Sequence, residues 1–312
     1  MLSFFKRNKP GKEVPEWANY FSKKEYEKFI EQLDTYFRDR NITYSFGDGE
    51  INVEEKTFGA ERLGLVNLAQ MCKQMAQSDW RDIIKEHFDG MQTAAIFEEE
   101  FNYHVDDFDF ARGYIGVRLY HNDYVSNLDK SLMIGRQITD DIFAMLVFDF
   151  PQGIVNVKPE QTIQWNKSNE ELFDIGVENI RVKYETEIVS QRIGDFNIWI
   201  AQGEHFFVPN IIFDFQNNQK FIGTNGSLIA IPHRHCVLIY PIENLQVIKS
   251  VNQLIPIIYS VNEEGPGSIS NNLYWYNNGQ FITLPYKFEN NKVQFYPPED
   301  FIEMLSILKA NI

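Results

Sequence analysis

Two imidazoles stand one residue apart in "AIPHRHCVLIYPI" (230–242), where His233 and His235 flank Arg234. On a strand, residues i and i+2 share a face, so His-x-His is a recognised way of presenting two ligands to zinc. A third ligand would have to come from a distant part of the chain, with His205, Glu204 and Asp214 as candidates. Against this, the pair follows Pro232 and falls between two apolar runs, the natural place for a three-residue hairpin loop, and at a turn the same-face rule lapses. Arg234 also adds positive charge beside the cation it would help to hold. The expectation is a polar loop tip with no metal and no cofactor. A metal-assisted hydrolase built on His233 and His235 is the alternative.

A second stretch, "FEEEFNYHVDDFDF" (97–110), gathers Glu98, Glu99, Glu100, Asp106, Asp107 and Asp109 without a Lys or Arg among them. Carboxylates accept charge-assisted bonds from Arg and Lys, and aromatic rings anchor contacts. The pattern therefore suits docking to a basic protein, with Phe101 and Tyr103 as anchors. The plainer reading is a solvated helix end and loop with some rings turned into the core. The spacing of an EF-hand calcium loop is not met.

Other chemistry finds little footing. There is no Gly-x-Ser-x-Gly nucleophile elbow, no phosphate-binding P-loop and no dinucleotide fingerprint. "EEGPGS" (263–268) has glycines but no lysine, and reads as a loop. Cys72 falls on an apolar helix stripe, where a thiol is inert. His87 reads as a core histidine, and His104 and His121 lie near Asp106 and Asp123 in sequence. The aromatics of "NNLYWYNNGQF" (271–281) read as a plain hairpin with its rings on the core face, the alternative being an exposed contact of a structural subunit in a larger assembly.

These residues must be positioned by the elements around them. Ser22 with Glu25 forms a capping box, and Tyr26, Phe29, Ile30, Leu33 and Phe37 follow at helical spacing. "ITYSFGDGEINVE" (42–54) reads as a hairpin turning at Asp48-Gly49. "ERLGLVNLAQMCKQM" carries one stripe of Leu65, Leu68, Ala69, Cys72 and Met75. Ser78 is the expected N-cap of a helix bearing Trp80, Ile84, Phe88 and Met91. From about residue 111 the period shortens into strand-like runs: "GYIGVRLY", "AMLVFDF", "GIVNVK", "RVKYETEIV", "FNIWIA", "SLIAIP" and "CVLIYPI". Turns are expected at Pro151-Gln152-Gly153, Asn217-Asn218, Asn278-Gly279 and Asn290-Asn291, which argues for antiparallel pairing. Helices are expected at about 168–181, where Ser168 with Glu171 makes another capping box, at about 244–255, and at 298–310. The fold class is thus α+β, with a mainly helical part over 1–110 packed on a hairpin-rich, mainly antiparallel region over 111–312.

Several segments resemble uncharacterised bacterial proteins, among them "FGAERLGLVNLAQMCKQMAQSDWRDIIKEHF" (58–88), "VRLYHNDY" (117–124) and "MLVFDFPQGIVNV" (145–157). "GSLIAIPHRHCVLIYPI" (226–242) is similar to the strand–turn–strand of the YtpQ-like family of unknown function. The resemblance implies a bacterial, intracellular protein and assigns no residue a role.

Charge narrows the partners. Against 29 Lys+Arg stand 44 Asp+Glu, a net −15. Such a chain repels a nucleic-acid backbone and attracts basic proteins. Two cysteines imply no disulfide framework and suit a reducing compartment. No apolar run approaches the roughly 20 residues of a membrane span, and the start lacks the order of a signal peptide. The expectation is a cytoplasmic, acidic binding protein, immunity- or antitoxin-like, that masks a basic partner.

Overall fold

Ser22 opens the first helix, α1 (Lys23–Asp39), through reciprocal bonds. Its N–H donates to Glu25 Oε2 at 2.7 Å, and its Oγ accepts from the Glu25 N–H at 3.4 Å. The computed structural model describes residues 13–151, 153–289 and 292–310, and their fold is α+β. They fall into two compact units. The first holds the chain up to Val105 together with Asp149–Val155, and the second holds Asp106–Phe148 and the chain from Asn156 onward. The sequence reading placed its boundary at 110 and did not foresee the return of 149–155.

In the first unit, α1 is followed by β1 (Tyr44–Phe46), β2 (Glu50–Val53), the short α2 (Glu55–Phe58), β3 (Arg62–Gly64), α3 (Val66–Gln74) and α4 (Trp80–Asn102). The strands pair antiparallel in the order β1-β2-β3. Tyr26, Phe29, Leu33, Tyr36 and Phe37 of α1 share one core with Leu68, Ala69 and Cys72 of α3 and with Trp80, Ile84 and Phe88 of α4. The period-3.6 stripes therefore face each other, as their spacing requires.

Three details differ from expectation. Arg62–Gly64 is strand rather than helix, because β2 offers it a pairing edge and Gly64 is a poor helix residue. Met75, placed on the α3 stripe, is instead its exposed C-cap. The N-cap position of α4 is held by Asp79 rather than Ser78, without a side-chain capping bond.

The second unit runs through α5 (Phe108–Ala111), β4 (Ile115–His121), α6 (Asn122–Ser126), β5 (Gly135–Gln137) and β6 (Ile142–Phe150). After β7 (Gly153–Asn156) come a 3-10 helix (Pro159–Trp165), α7 (Asn169–Lys183), β8 (Glu187–Ile193) and β9 (Phe196–Gln202). A longer 3-10 helix (Val208–Asn217) leads to β10 (Ser227–His233), β11 (Cys236–Pro241) and α8 (Val247–Glu264). The chain closes with β12 (Leu273–Asn277), β13 (Gln280–Leu284), β14 (Tyr286–Glu289), β15 (Lys292–Phe295) and α9 (Glu299–Ala310).

One sheet has the order β4-β6-β5; another is six-stranded, β13-β12-β10-β11-β9-β8, with antiparallel neighbours throughout. On one face of the larger sheet, Leu228, Ala230, Leu238 and Trp275 pack with Val251, Leu254 and Ile258 of α8 and Phe301 and Met304 of α9. Ile229, Ile231, Val237, Ile239 and Tyr276, on the opposite face, are buried as well. Burial on both faces is why these strands read as continuous apolar runs without alternation.

The 3-10 helices Pro159–Trp165 and Val208–Asn217 had no expected counterpart. The run "RVKYETEIV" splits: Lys183 ends α7, and β8 begins at Glu187. Helix α8 continues through Pro256 to Glu264 instead of stopping near 255. The proline costs one i to i−4 bond, and the carbonyl it leaves without a donor belongs to the exposed Asn252. Asn278 and Gly279 both have positive φ, 49° and 80°, the two-residue turn that a twisted hairpin favours. Tyr274, Trp275 and Tyr276 beside it are buried, as the plain hairpin reading expects and the alternative of an exposed assembly contact does not. Residues 1–12, Gln152 and the Asn290-Asn291 turn lie outside the described residues. Among the described residues no helix is long and apolar enough to cross a membrane.

Candidate functional site

The acidic stretch is shared between the units. Glu98, Glu99 and Glu100 lie near the end of α4, with Glu99 and Glu100 exposed. Tyr103, its C-cap, is 78 % exposed. Phe101 points the other way: it is 2 % exposed, and its ring centroid lies 4.9 Å from that of Phe150. It is a core residue of the first unit and not a surface anchor. The remaining acids open the second unit. Asp106, Asp107 and Asp109 are exposed, Asp107 Oδ1 accepts from the N–H groups of Asp109 at 3.0 Å and Phe110 at 3.4 Å, and Asp109 lies 3.5 Å from Arg112. Asp107 thus serves as the cap of α5, a role that needs its carboxylate at a helix start.

The His233/His235 hairpin is a turn, as expected, but it is neither three residues long nor a polar tip. His233 pairs with Cys236, leaving Arg234 and His235 as the connection. Neither has positive φ, and the register shift between Ala230 and His233 accommodates a turn that would otherwise splay the strands. Arg234 is only 8 % exposed, and both histidines are half-buried. The loop that wraps them is the "GPGS" segment: Arg234 N–H donates to the Gly267 carbonyl at 3.1 Å, and Ser268 bridges to His233. Its glycines are required by contact. A Cβ on Gly265 would fall 2.1 Å from His233 Cδ2, and one on Gly267, where φ is +72°, would fall 2.6 Å from Arg234 Cδ.

The imidazoles do not converge on a common point. His235 Nδ1 lies 3.0 Å from the Gly203 carbonyl, which fixes the proton there, and its Nε2 accepts from Arg234 Nε at 3.0 Å. His233 Nδ1 accepts the His235 backbone N–H at 3.1 Å. No nitrogen of His235 is left to donate to an ion. Of the suggested third ligands, His205 Nε2 lies 3.2 Å from the Glu185 carbonyl and its ring stacks on Tyr184, while Asp214 lies 3.7 Å from Arg181. Among the described residues no group of three or more His, Cys, Asp and Glu is placed to hold a metal.

What the hairpin does assemble is a pair of arginines. Arg234 Cζ sits 4.2 Å from the centroid of Phe206, and Arg118 Cζ, from the middle of β4, sits 5.4 Å from the same ring and 4.7 Å from Tyr120. Arg118 Nε is buried with no hydrogen-bond partner. Every arginine–carboxylate pair among the described residues uses Arg38, Arg40, Arg112 or Arg181, so neither Arg118 nor Arg234 has an acid within 4.0 Å. Phe206 is 36 % exposed and marks where the cluster meets solvent.

Burial sets the charge states here. Desolvation, then the charges of His235 and Arg234, push His233 down to about 4. Desolvation and Arg234 likewise lower His235, although the Gly203 bond and Glu204 oppose this. Desolvation and the neighbouring Arg118 bring Arg234 down to about 10, still protonated at neutral pH. The Tyr120 hydroxyl is raised by burial and stays neutral. At neutral pH the cluster therefore holds two guanidinium charges among neutral rings.

A separate cleft of about 710 Å³ in the same unit is lined by Arg136, Asp174, Glu178, Arg181 and Asp214, among others. Its charges are partly internal pairs, with Arg181 bridging Glu178 and Asp214. The sequence reading did not single out Arg118 or Phe206. Arg118 interrupts the apolar run "YIGVRLY", and a lone arginine inside a strand pattern was the available signal. No family model, curated protein or solved structure matches this chain.

Proposed function

We propose that the chain is a binding protein that docks and masks a basic protein, in the manner of an immunity protein or antitoxin. The observation that supports this is the outward stripe at the end of α4. Ile96 (62 % exposed), Glu99, Glu100 and Tyr103 follow at i, i+3, i+4 and i+7, so two apolar contacts enclose two carboxylates on one helix face. An exposed aromatic beside acids matches a surface of Lys and Arg, and the overall charge of −15 steers such a partner inward.

The test is a titration of a purified basic partner, first captured from lysate, against wild type and a Glu99→Lys/Glu100→Lys variant. The expected result is at least tenfold weaker binding by the variant, about 1.4 kcal/mol, an unchanged melting temperature, and wild-type affinity that falls with salt. Equal affinity in the two proteins would reject this face.

A further inference from the structure

We infer that Arg118 and Arg234 form a binding site for a phosphate group, in the second unit and independent of the α4 face. A charged side chain removed from water is normally matched by an opposite charge. Here Arg234 is more than nine-tenths buried, a second guanidinium is close enough to lower its pKa, and neither has a carboxylate within 4.0 Å. The rings of Phe206 and Tyr120 ease this through their π faces but bring no counter-charge. Histidines that share the cluster stay neutral and add neither repulsion nor compensation. Glu204, whose charge His235 feels, is exposed and pairs with neither arginine.

The charge count points to the class of ligand. Two guanidinium groups match the charge of a phosphate monoester or of inorganic phosphate, which lies between about −1 and −2 at neutral pH, better than that of a single carboxylate. The guanidinium fork also matches the oxygens of phosphate, and the unpartnered Arg118 Nε is a donor still to be used. The half-open Phe206 gives the site a route to solvent and an aromatic wall. The chain's net −15 opposes long-range attraction of any anion, so recognition here works at contact.

The measurement is calorimetric titration of the full chain at neutral pH with inorganic phosphate, phenyl phosphate and acetate, alongside NMR of the arginine Nε–H signals. The expected result is saturable one-to-one binding of a phosphate compound that moves the Arg118 and Arg234 signals. Arg118→Gln and Arg234→Gln are each expected to weaken binding by at least about tenfold. Tighter binding of phenyl phosphate assigns the site to a phosphate ester, and preference for inorganic phosphate assigns it to the free ion. If Arg234→Gln does not fold, Arg118→Lys keeps the charge, loses the fork and identifies the Arg118 signal. No saturable binding of either phosphate, equal binding in the variants, or acetate bound as tightly as phosphate would each overturn the inference.

Discussion

The Asp141 carboxylate lies 2.6 Å from the hydroxyl of Tyr274, 133 residues further along the chain. The same carboxylate accepts from Thr139 Oγ1 at 2.9 Å, Ser270 Oγ at 2.6 Å and Asn272 Nδ2 at 2.9 Å. It ties the approach to β6 onto β12, and so fastens the β4-β6-β5 sheet to the six-stranded one. Tyr274 is wholly buried, and its hydroxyl is raised well above its ordinary pKa by desolvation and by Asp141. Asp141→Ala removes the acceptor these four donors share, leaving the Ser270 and Tyr274 hydroxyls only their bond to each other, and a loss of about 2–4 kcal/mol is expected in urea unfolding. Tyr274→Phe removes a single donor and is expected to cost about 1–2 kcal/mol.

Acid sensitivity is expected from His233. Its folded-state pKa of about 4 lies below the ordinary 6.5, so the unfolded chain binds more protons between these values. The stabilisation is complete above pH 6.5 and is lost as pH falls towards 4. With a shift of this size the loss is on the order of 3 kcal/mol. Glu25, held down to about 2 chiefly by its bond with Lys73, acts in a lower window, between 4.5 and 2. Stability measured against pH in wild type and His233→Asn separates them: the variant should lose the slope between 6.5 and 4 and keep the lower one.

Both thiols are expected to be unreactive in the folded protein. Burial pushes Cys72 up to about 12 and Cys236 up to about 11, which leaves almost no thiolate at pH 8. A chromogenic disulfide reagent should therefore label neither until denaturant is added. Rapid labelling of either one in native buffer would show that its element opens locally.

Gly265→Ala tests the packing of the buried hairpin. The added methyl meets the His233 ring at 2.1 Å, a collision that backbone or ring must relieve. The expected cost is about 2 kcal/mol. The double variant with His233→Ala should recover part of that cost, and a double-mutant cycle showing strict additivity would exclude direct contact.

Much of the fold was legible because its signals were local. The Ser22/Glu25 and Ser168/Glu171 capping boxes, the Asn278-Gly279 turn and the α4 stripe each depend on residues within a few positions of one another. The candidate site was legible only as a hairpin. That Arg234 is buried follows from Gly265 and Gly267 wrapping it, and its company from Arg118 and Phe206, each remote in sequence. Phe101 misled for a related reason. Its place beside acids suggested a surface, but its neighbour in space is Phe150.

The short segment Asp149–Val155 has a consequence for how the chain is made. Phe150 closes over Phe97 and Phe101, so the first unit lacks part of its aromatic packing until residues far beyond Val105 have been synthesised. By then β4 and most of β6 have also left the ribosome, and the two units mature in overlapping rather than successive order. A chain cut after Val105 is accordingly expected to expose Phe97 and Phe101 and to aggregate. Adding a peptide of residues 149–155 in trans gives that truncated chain its missing aromatic side, a complementation that solubility and peptide binding would report together.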